Sequence, residues 1–240
     1  MTIFGFRPAF WPTLITVPAL VLLLCLGTWQ VQRLFWKLDL IEHMERGLAV
    51  EPVALPPGKL DPHEWMYRRV TLRGTFDYTN EFHMLAHSER GNFGYLIIVP
   101  MRRADGQGHV LVRRGWVPPE FKAPETRAAG QVAGEVTVTG VVHVPGIRGW
   151  MIPDTDLKAN LWYYADAQAM LAKAGIQDAP LLFVDADATP PVPGGWPRGG
   201  HARLNIPNNH LAYAFTWYSA AVVLAVIYVL WHRRRQRNLL

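Results

Sequence analysis

One cysteine, Cys25, is present in the 240 residues. This excludes an internal disulfide, a Cys-based zinc or iron–sulfur cage, C-x-x-C redox chemistry and C-x-x-C-H haem attachment. Serine is nearly as scarce, with only Ser88 and Ser219. Ser88 follows His87, but neighbours on an extended chain point to opposite faces and do not form a nucleophile–base pair. A P-loop, a dinucleotide fingerprint, H-E-x-x-H and G-x-S-x-G are all missing. No catalytic set assembles, and the chain reads as a non-enzyme. Negative charge is confined as well: every Asp and Glu lies between Asp39 and Asp187.

The net charge of +5 and pI near 9.5 raise the question of a polyanion partner. Position answers it. Residues 34–209 hold 18 Lys and Arg against 19 Asp and Glu, a net of −1. The excess sits at the ends, in Arg7, Arg33, Arg233, Arg234, Arg235 and Arg237. It flanks two uncharged stretches, 8–32 and 204–232. No nucleic-acid surface is expected.

Both stretches are long enough to cross a bilayer, since an apolar helix of about 20 residues spans roughly 30 Å. The first has a core longer than a secretory h-region and reads as a retained anchor. Basic residues beside a span stay in the cytoplasm. The tail WHRRRQRNLL therefore places the C-terminus there, and two spans bring the N-terminus to the same side. The resulting expectation is a cytoplasmic segment 1–9, a transmembrane helix 10–32, a translocated domain 33–209, a second transmembrane helix 210–231 and a basic cytoplasmic tail 232–240. The lipid bilayer is thus one expected partner.

Period-two patterns dominate the middle. Strands are predicted at 68–77, 94–101, 109–117 and 135–144, with weaker ones at 161–164 and 181–185. Asp105-Gly106 and Gly108 suggest a hairpin between two of them. ADAQAMLAKAG (165–175) reads as a short helix stopped by Gly175, and 190–200 as a loop. The fold class is membrane α+β: two terminal transmembrane helices around a mainly antiparallel β-domain, a small barrel or sandwich, with one short helix.

Nine histidines offer the remaining chemistry. His83 and His87 have a helical metal spacing, but EFHMLAH is equally strand-like, and surface positions are expected for most of the nine. His210 differs because it opens the second span. Tyr213, Ala214 and Trp217 follow it at i+3, i+4 and i+7. Such a face can seat a planar ring system with imidazole as an axial ligand to haem iron. It can equally be an aromatic belt. At the matching end of the first span, Trp29, Gln30 and Arg33 are read as one helical face, where Arg33 either pairs with propionates or snorkels to head-group level.

GTWQVQRLFWKLDLI, YRRVTLRGTFD, VLVRRGWVP, LWYYADAQAMLAKAG, FVDA and PNNHLAYAFTWYSAA, in that order, closely resemble the surfeit locus protein family, over about residues 26 to 231. The resemblance implies a cytochrome c oxidase assembly factor without an established catalytic reaction. It implies binding of haem a and help with its insertion into oxidase subunit I, with a haem a synthase as a further partner. By the NNHL motif it maps the candidate iron ligand onto His210. Trp29, Arg33, Tyr213 and Trp217 map as the other cofactor-binding candidates. The absence of an Arg- and Ser-rich presequence argues for a bacterial chain, in the inner membrane with its β-domain in the periplasm. Two departures, Arg113 before Arg-Gly-Trp and Phe93 before Gly-Tyr, put in doubt which terminal oxidase is served. A scaffold that stabilises an oxidase intermediate without binding haem is the alternative.

Overall fold

The computed structural model describes residues 8–58, 60–88, 90–145, 148–200 and 208–237. Arg7, His201 and Arg203, which bear on the expected topology and on propionate pairing, lie outside the described residues, as do the first seven and last three residues. The chain divides into two compact units. One comprises the terminal segments 1–43 and 205–240, and the other residues 44–204.

The central unit is built on one eight-stranded sheet, in the order β1-β2-β6-β8-β5-β4-β3-β7. Its strands are β1 (Val53–Ala54), β2 (Arg69–Phe76), β3 (Phe82–His87), β4 (Phe93–Arg103), β5 (His109–Val117), β6 (Glu135–His143), β7 (Leu161–Trp162) and β8 (Phe183–Ala186). A further pairing of β2 with β4 joins the sheet to itself, so β2, β6, β8, β5 and β4 form a closed five-stranded barrel. Closure removes the open edges that a sheet otherwise exposes. Five pairings are antiparallel; β1–β2, β3–β7 and β5–β8 are parallel. The domain is therefore mainly antiparallel, as expected, and the choice between barrel and sandwich falls to the barrel.

Each barrel strand contributes inward residues. Val70 and Leu72, Met101, Val110 and Val112, Val142, and Val184 form one buried cluster. The alternate residue Leu111 belongs to a second cluster with Phe82, Ile98, Trp162 and Phe183. Helix α3 (Ala167–Ala174) lays Met170 and Leu171 on that outer cluster. Its ends are coded locally. Asp166 accepts the Ala169 N–H at 2.9 Å, and Gly175 takes the left-handed conformation that ends the helix. The predicted hairpin is present too: Arg103 N–H donates to the Gly108 carbonyl at 2.9 Å, with Gly106 and Gly108 both at positive φ. A four-residue helix α2 (Pro62–Trp65) precedes β2.

His83 departs from the surface position expected of most histidines. It is buried on β3, and Nε2 lies 2.7 Å from Glu81 Oε1. Arg127 Nη2 donates to the same carboxylate oxygen. Burial alone raises the Glu81 pKa, but these bonds outweigh it and hold the carboxyl below its ordinary range. The strand puts His83 and His87 four residues apart along an extended chain, which removes the helical metal spacing. No cluster of three or more metal-ligating side chains occurs among the described residues.

The RRGW segment contains a bulge. Ile97 faces Gly115 and Ile98 faces Arg113, which leaves Arg114 as the extra residue. Arg113 forms a two-pronged pair with Asp185, one arm at 2.6 Å. Arg114, also buried, donates to the Gly130 carbonyl at 2.6 Å. Gly115 has φ of 139°, and a Cβ there would lie 2.0 Å from the Arg198 carbonyl oxygen. Gly115→Ala should therefore cost about 1–3 kcal/mol, seen as a lower thermal midpoint of the full chain in detergent. His143 supplies a pH test. Burial and the nearby Arg113 lower its pKa from 6.5 to about 4, against the opposing pull of Asp185. The unfolded chain binds this proton more readily between those values. Stability should therefore fall as pH drops from 6.5 towards 4, by about 3 kcal/mol at most, and be unaffected by this group above 6.5. Denaturant titrations at pH 7 and 4.5 should show a smaller pH difference in His143→Phe than in the parent.

Candidate functional site

The terminal unit contains α4 (His210–Arg237) and most of α1 (Phe10–Ala49). At 40 residues α1 is about 60 Å long, well past the apolar run that starts it. Nothing stops the helix at residue 32: the following residues LFWKLDLIEHMER are good helix formers with charges spaced along the chain.

Four polar contacts define how α1 and α4 pair. Ala9 N–H donates to His232 Nε2 at 3.0 Å, and the Thr13 and Tyr228 hydroxyls are 2.5 Å apart. The Thr28 and Tyr218 hydroxyls are 3.1 Å apart, and His210 Nδ1 lies 2.7 Å from Gln30 Oε1. Rising numbers on one helix meet falling numbers on the other, so the pair is antiparallel. The least exposed positions step by three and four: 13, 16, 20, 23, 27, 30 and 34 on α1, and 210, 214, 217, 221, 224 and 228 on α4. This is the spacing of a helix–helix seam. Gly27 gives the close approach. A Cβ there would lie 2.8 Å from the Tyr218 ring, and Ala214 and Ala221 are buried as small partners on α4.

Outside the seam the helices remain apolar. Leu14, Ile15, Leu22, Phe215, Val222 and Ile227 are each at least half exposed. Only 6% of the most apolar window of α1 and 11% of that of α4 is buried. A core helix of a water-soluble domain would be covered, so that explanation of the two runs does not hold. Both helices are long and apolar enough to cross a membrane.

At the start of α4 the chemistry is specific. An amide oxygen only accepts, so His210 Nδ1 donates to Gln30 and Nε2 is the ring nitrogen not used in this bond. A metal-binding imidazole is commonly oriented in this way, by a bond from its far nitrogen. His210 is half-buried, and Asn208 Oδ1, two residues before it, is buried without a hydrogen-bond partner among the described residues. The structure thus shows an imidazole oriented through Nδ1.

The other candidates are placed differently. Trp217 is half-buried on the seam side of α4, and Tyr213 is 55% exposed. Trp29 is 53% exposed, and the Arg33 guanidinium lies 3.8 Å over the Trp36 ring. The expected common face of Trp29, Gln30 and Arg33 is therefore split. Gln30 lies on the 27–30–34 row against α4, while Trp29 and Arg33 occupy the neighbouring exposed row. Sequence reasoning undervalued Gln30. Its signal was a buried-type spacing from Gly27 for a polar amide inside an uncharged run.

The model of the SURF1 family matches residues 17–222. The chain belongs to the SURF1 family. Surfeit locus protein 1 of Gallus gallus is 37% identical over 225 residues, covering 88% of this chain and 71% of its own. The Homo sapiens protein of that name is 36% identical over 218 residues, covering 85% and 71%. A SURF1-like protein of Monosiga brevicollis is 34% identical over 235 residues, covering 94% and 88%. These relatives are eukaryotic and do not bear out the bacterial source expected from the sequence.

The His210 arrangement is open to nitrogen NMR on the full chain labelled at histidine and held in micelles. The His210 signals, identified by their loss in His210→Ala, should show a protonated Nδ1. Gln30→Leu should shift the tautomer populations towards an average of the two.

Proposed function

We propose that this protein is a membrane-spanning assembly factor for cytochrome c oxidase, which binds haem a and assists its insertion into subunit I. The observation that carries the haem reading is the His210–Gln30 pair. It supports His210 as a candidate iron ligand through Nε2, because the imidazole is oriented through Nδ1 and half-buried at the end of an apolar helix pair. Family membership supports the oxidase connection.

The residues fit the group in part. Trp217, on the same side of α4, can flank a ring bound at His210, and the exposed Trp29 and Tyr213 present aromatic faces at the same level of the helix pair. Arg33 would have to leave Trp36 to meet a propionate. Bound haem would supply a coordinating iron and a large apolar plane. The chain's own task is to hold that plane without turnover and release it. His210 would be the residue that holds the iron, and a single protein ligand would suit a carrier that must also let its cargo go.

The bare apolar surfaces of α1 and α4 support insertion of both helices in the respiratory inner membrane, and the Arg233–Arg237 tail supports a location of both termini on its inner side. Residues between the helices then face the opposite side, where subunit I and a haem a synthase are the proposed partners.

The test is purification from cells that make haem a, followed by pigment extraction and spectroscopy. The parent should carry haem a in stoichiometric amount, and His210→Ala should lose it while keeping its thermal midpoint. Pigment in neither protein, with oxidase assembly still dependent on the chain, would leave the scaffold reading. A C-terminal tag should resist proteolysis from the outer side of intact membranes; cleavage there would reverse the proposed orientation.

A further inference from the structure

The central unit contains a cavity that the haem reading does not use. It has a volume of ≈ 880 Å³, and its lining includes Leu48 of α1 and Gly200. Its walls hold three guanidinium groups, Arg69, Arg90 and Arg198, and one carboxylate, Asp187. The barrel-containing region 34–209 is close to neutral overall, yet this cavity concentrates a formal charge of +2.

The arginines are not equivalent. Arg69 is matched to Asp187 at 2.5 Å and neutralises it. Arg90 and Arg198 have no carboxylate partner among the described residues. The Arg198 guanidinium instead lies over the Trp196 ring, 4.2 Å from its centroid. The Arg198 backbone is fixed: Trp116 and Arg198 exchange N–H···O bonds of 2.8 and 3.0 Å. Gly115 and Gly199 permit this close approach, since a Cβ on either would strike a neighbouring carbonyl oxygen. The segment 190–200, read from sequence as a loop, thus contributes to the cavity wall. Ser88, whose hydroxyl accepts the Asn92 N–H at 3.1 Å, shapes the turn that carries Arg90.

Two unpaired guanidiniums, a wall of Trp116 and Trp196 and a volume within the usual range of small-molecule sites define a ligand class. We infer that this cavity is a binding site for a doubly charged oxyanion, phosphate or carboxylate, carried on an apolar or aromatic body. Arg90 and Arg198 take the charge, the Arg69–Asp187 pair sets one side of the site, and the indoles meet the body. The ligand comes either from solution or from the head group of an anionic lipid. This site stands independently of His210, because all of its lining residues belong to the central unit.

The full chain in phosphatidylcholine nanodiscs, titrated calorimetrically with phenyl phosphate and with phthalate, tests it. At least one probe should bind saturably at one site, and the Arg90→Gln/Arg198→Gln pair should weaken it at least tenfold. The thermal midpoint of that variant should be unchanged, because both side chains are exposed and free of salt bridges. Arg73→Gln, which removes an exposed arginine paired with Glu135 elsewhere on β2, should bind as the parent does. Loss of probe binding when phosphatidic acid is added to the nanodiscs assigns the site to a lipid head group; undiminished binding assigns it to a soluble ligand. No saturable binding of either probe, or equal binding in the double variant, overturns the inference.

Discussion

Closure of the barrel depends on one crossing, where β2 leaves β6 and turns to β4. Arg69 to Thr75 pair with β6, and Gly74 to Phe76 pair with Arg103 to Met101 of β4. The two ladders overlap at Gly74 and Thr75, and a Cβ on Gly74 would lie 2.2 Å from the Arg102 carbonyl oxygen. A side chain at that corner would hold β2 and β4 apart and leave an open sheet. With the corner closed, Val70, Leu72, Met101, Val110, Val112, Val142 and Val184 share one interior. The outer faces are then left for α3 and for the arginine pairs. Leu111 and Phe183 meet α3, while Arg113 meets Asp185 across the only parallel pairing inside the barrel.

The terminal unit follows a different constraint. Its helices are apolar all round, so burial in the pair selects no face by hydrophobicity alone. Size and polarity select it. Gly27, Ala214 and Ala221 allow contact, and the Thr13–Tyr228, Thr28–Tyr218 and Gln30–His210 bonds set the register. The same register that aligns the helices also orients the imidazole, so packing and chemistry at His210 share one cause. His232 closes the other end: it is buried, accepts from Ala9 and donates to the Tyr228 carbonyl.

Much of this was legible in the residues. The strands at 69–76, 93–103, 109–117 and 135–143, the helix 167–174 and the two apolar helices all follow patterns of period or capping that act over a few residues. β1 escaped because two residues have no period of their own, and it exists only through its partner β2. The weak strand read at 161–164 is reduced to the two residues of β7 that pair with β3. The bulge at Arg114 was invisible for a related reason: Arg113 and Arg114 look like one charged step, and only the register against Ile97 and Ile98 sends them to different partners. In the candidate site, His210 was visible from its place at a span end. Gln30 was grouped with Trp29 and Arg33, because spacing along one helix does not say which row meets a neighbour.

By itself the sequence determined the order of elements, the confinement of acidic residues to the middle and the apolar character of both ends, since these depend on composition and local periodicity. Only the tertiary structure decided that the sheet closes into a barrel, that Gln30 rather than Arg33 meets His210, and that Arg69, Arg90 and Arg198 line one cavity. Each of those facts joins residues distant along the chain. Their meeting is set by strand register, helix seam and the close approaches that glycine permits.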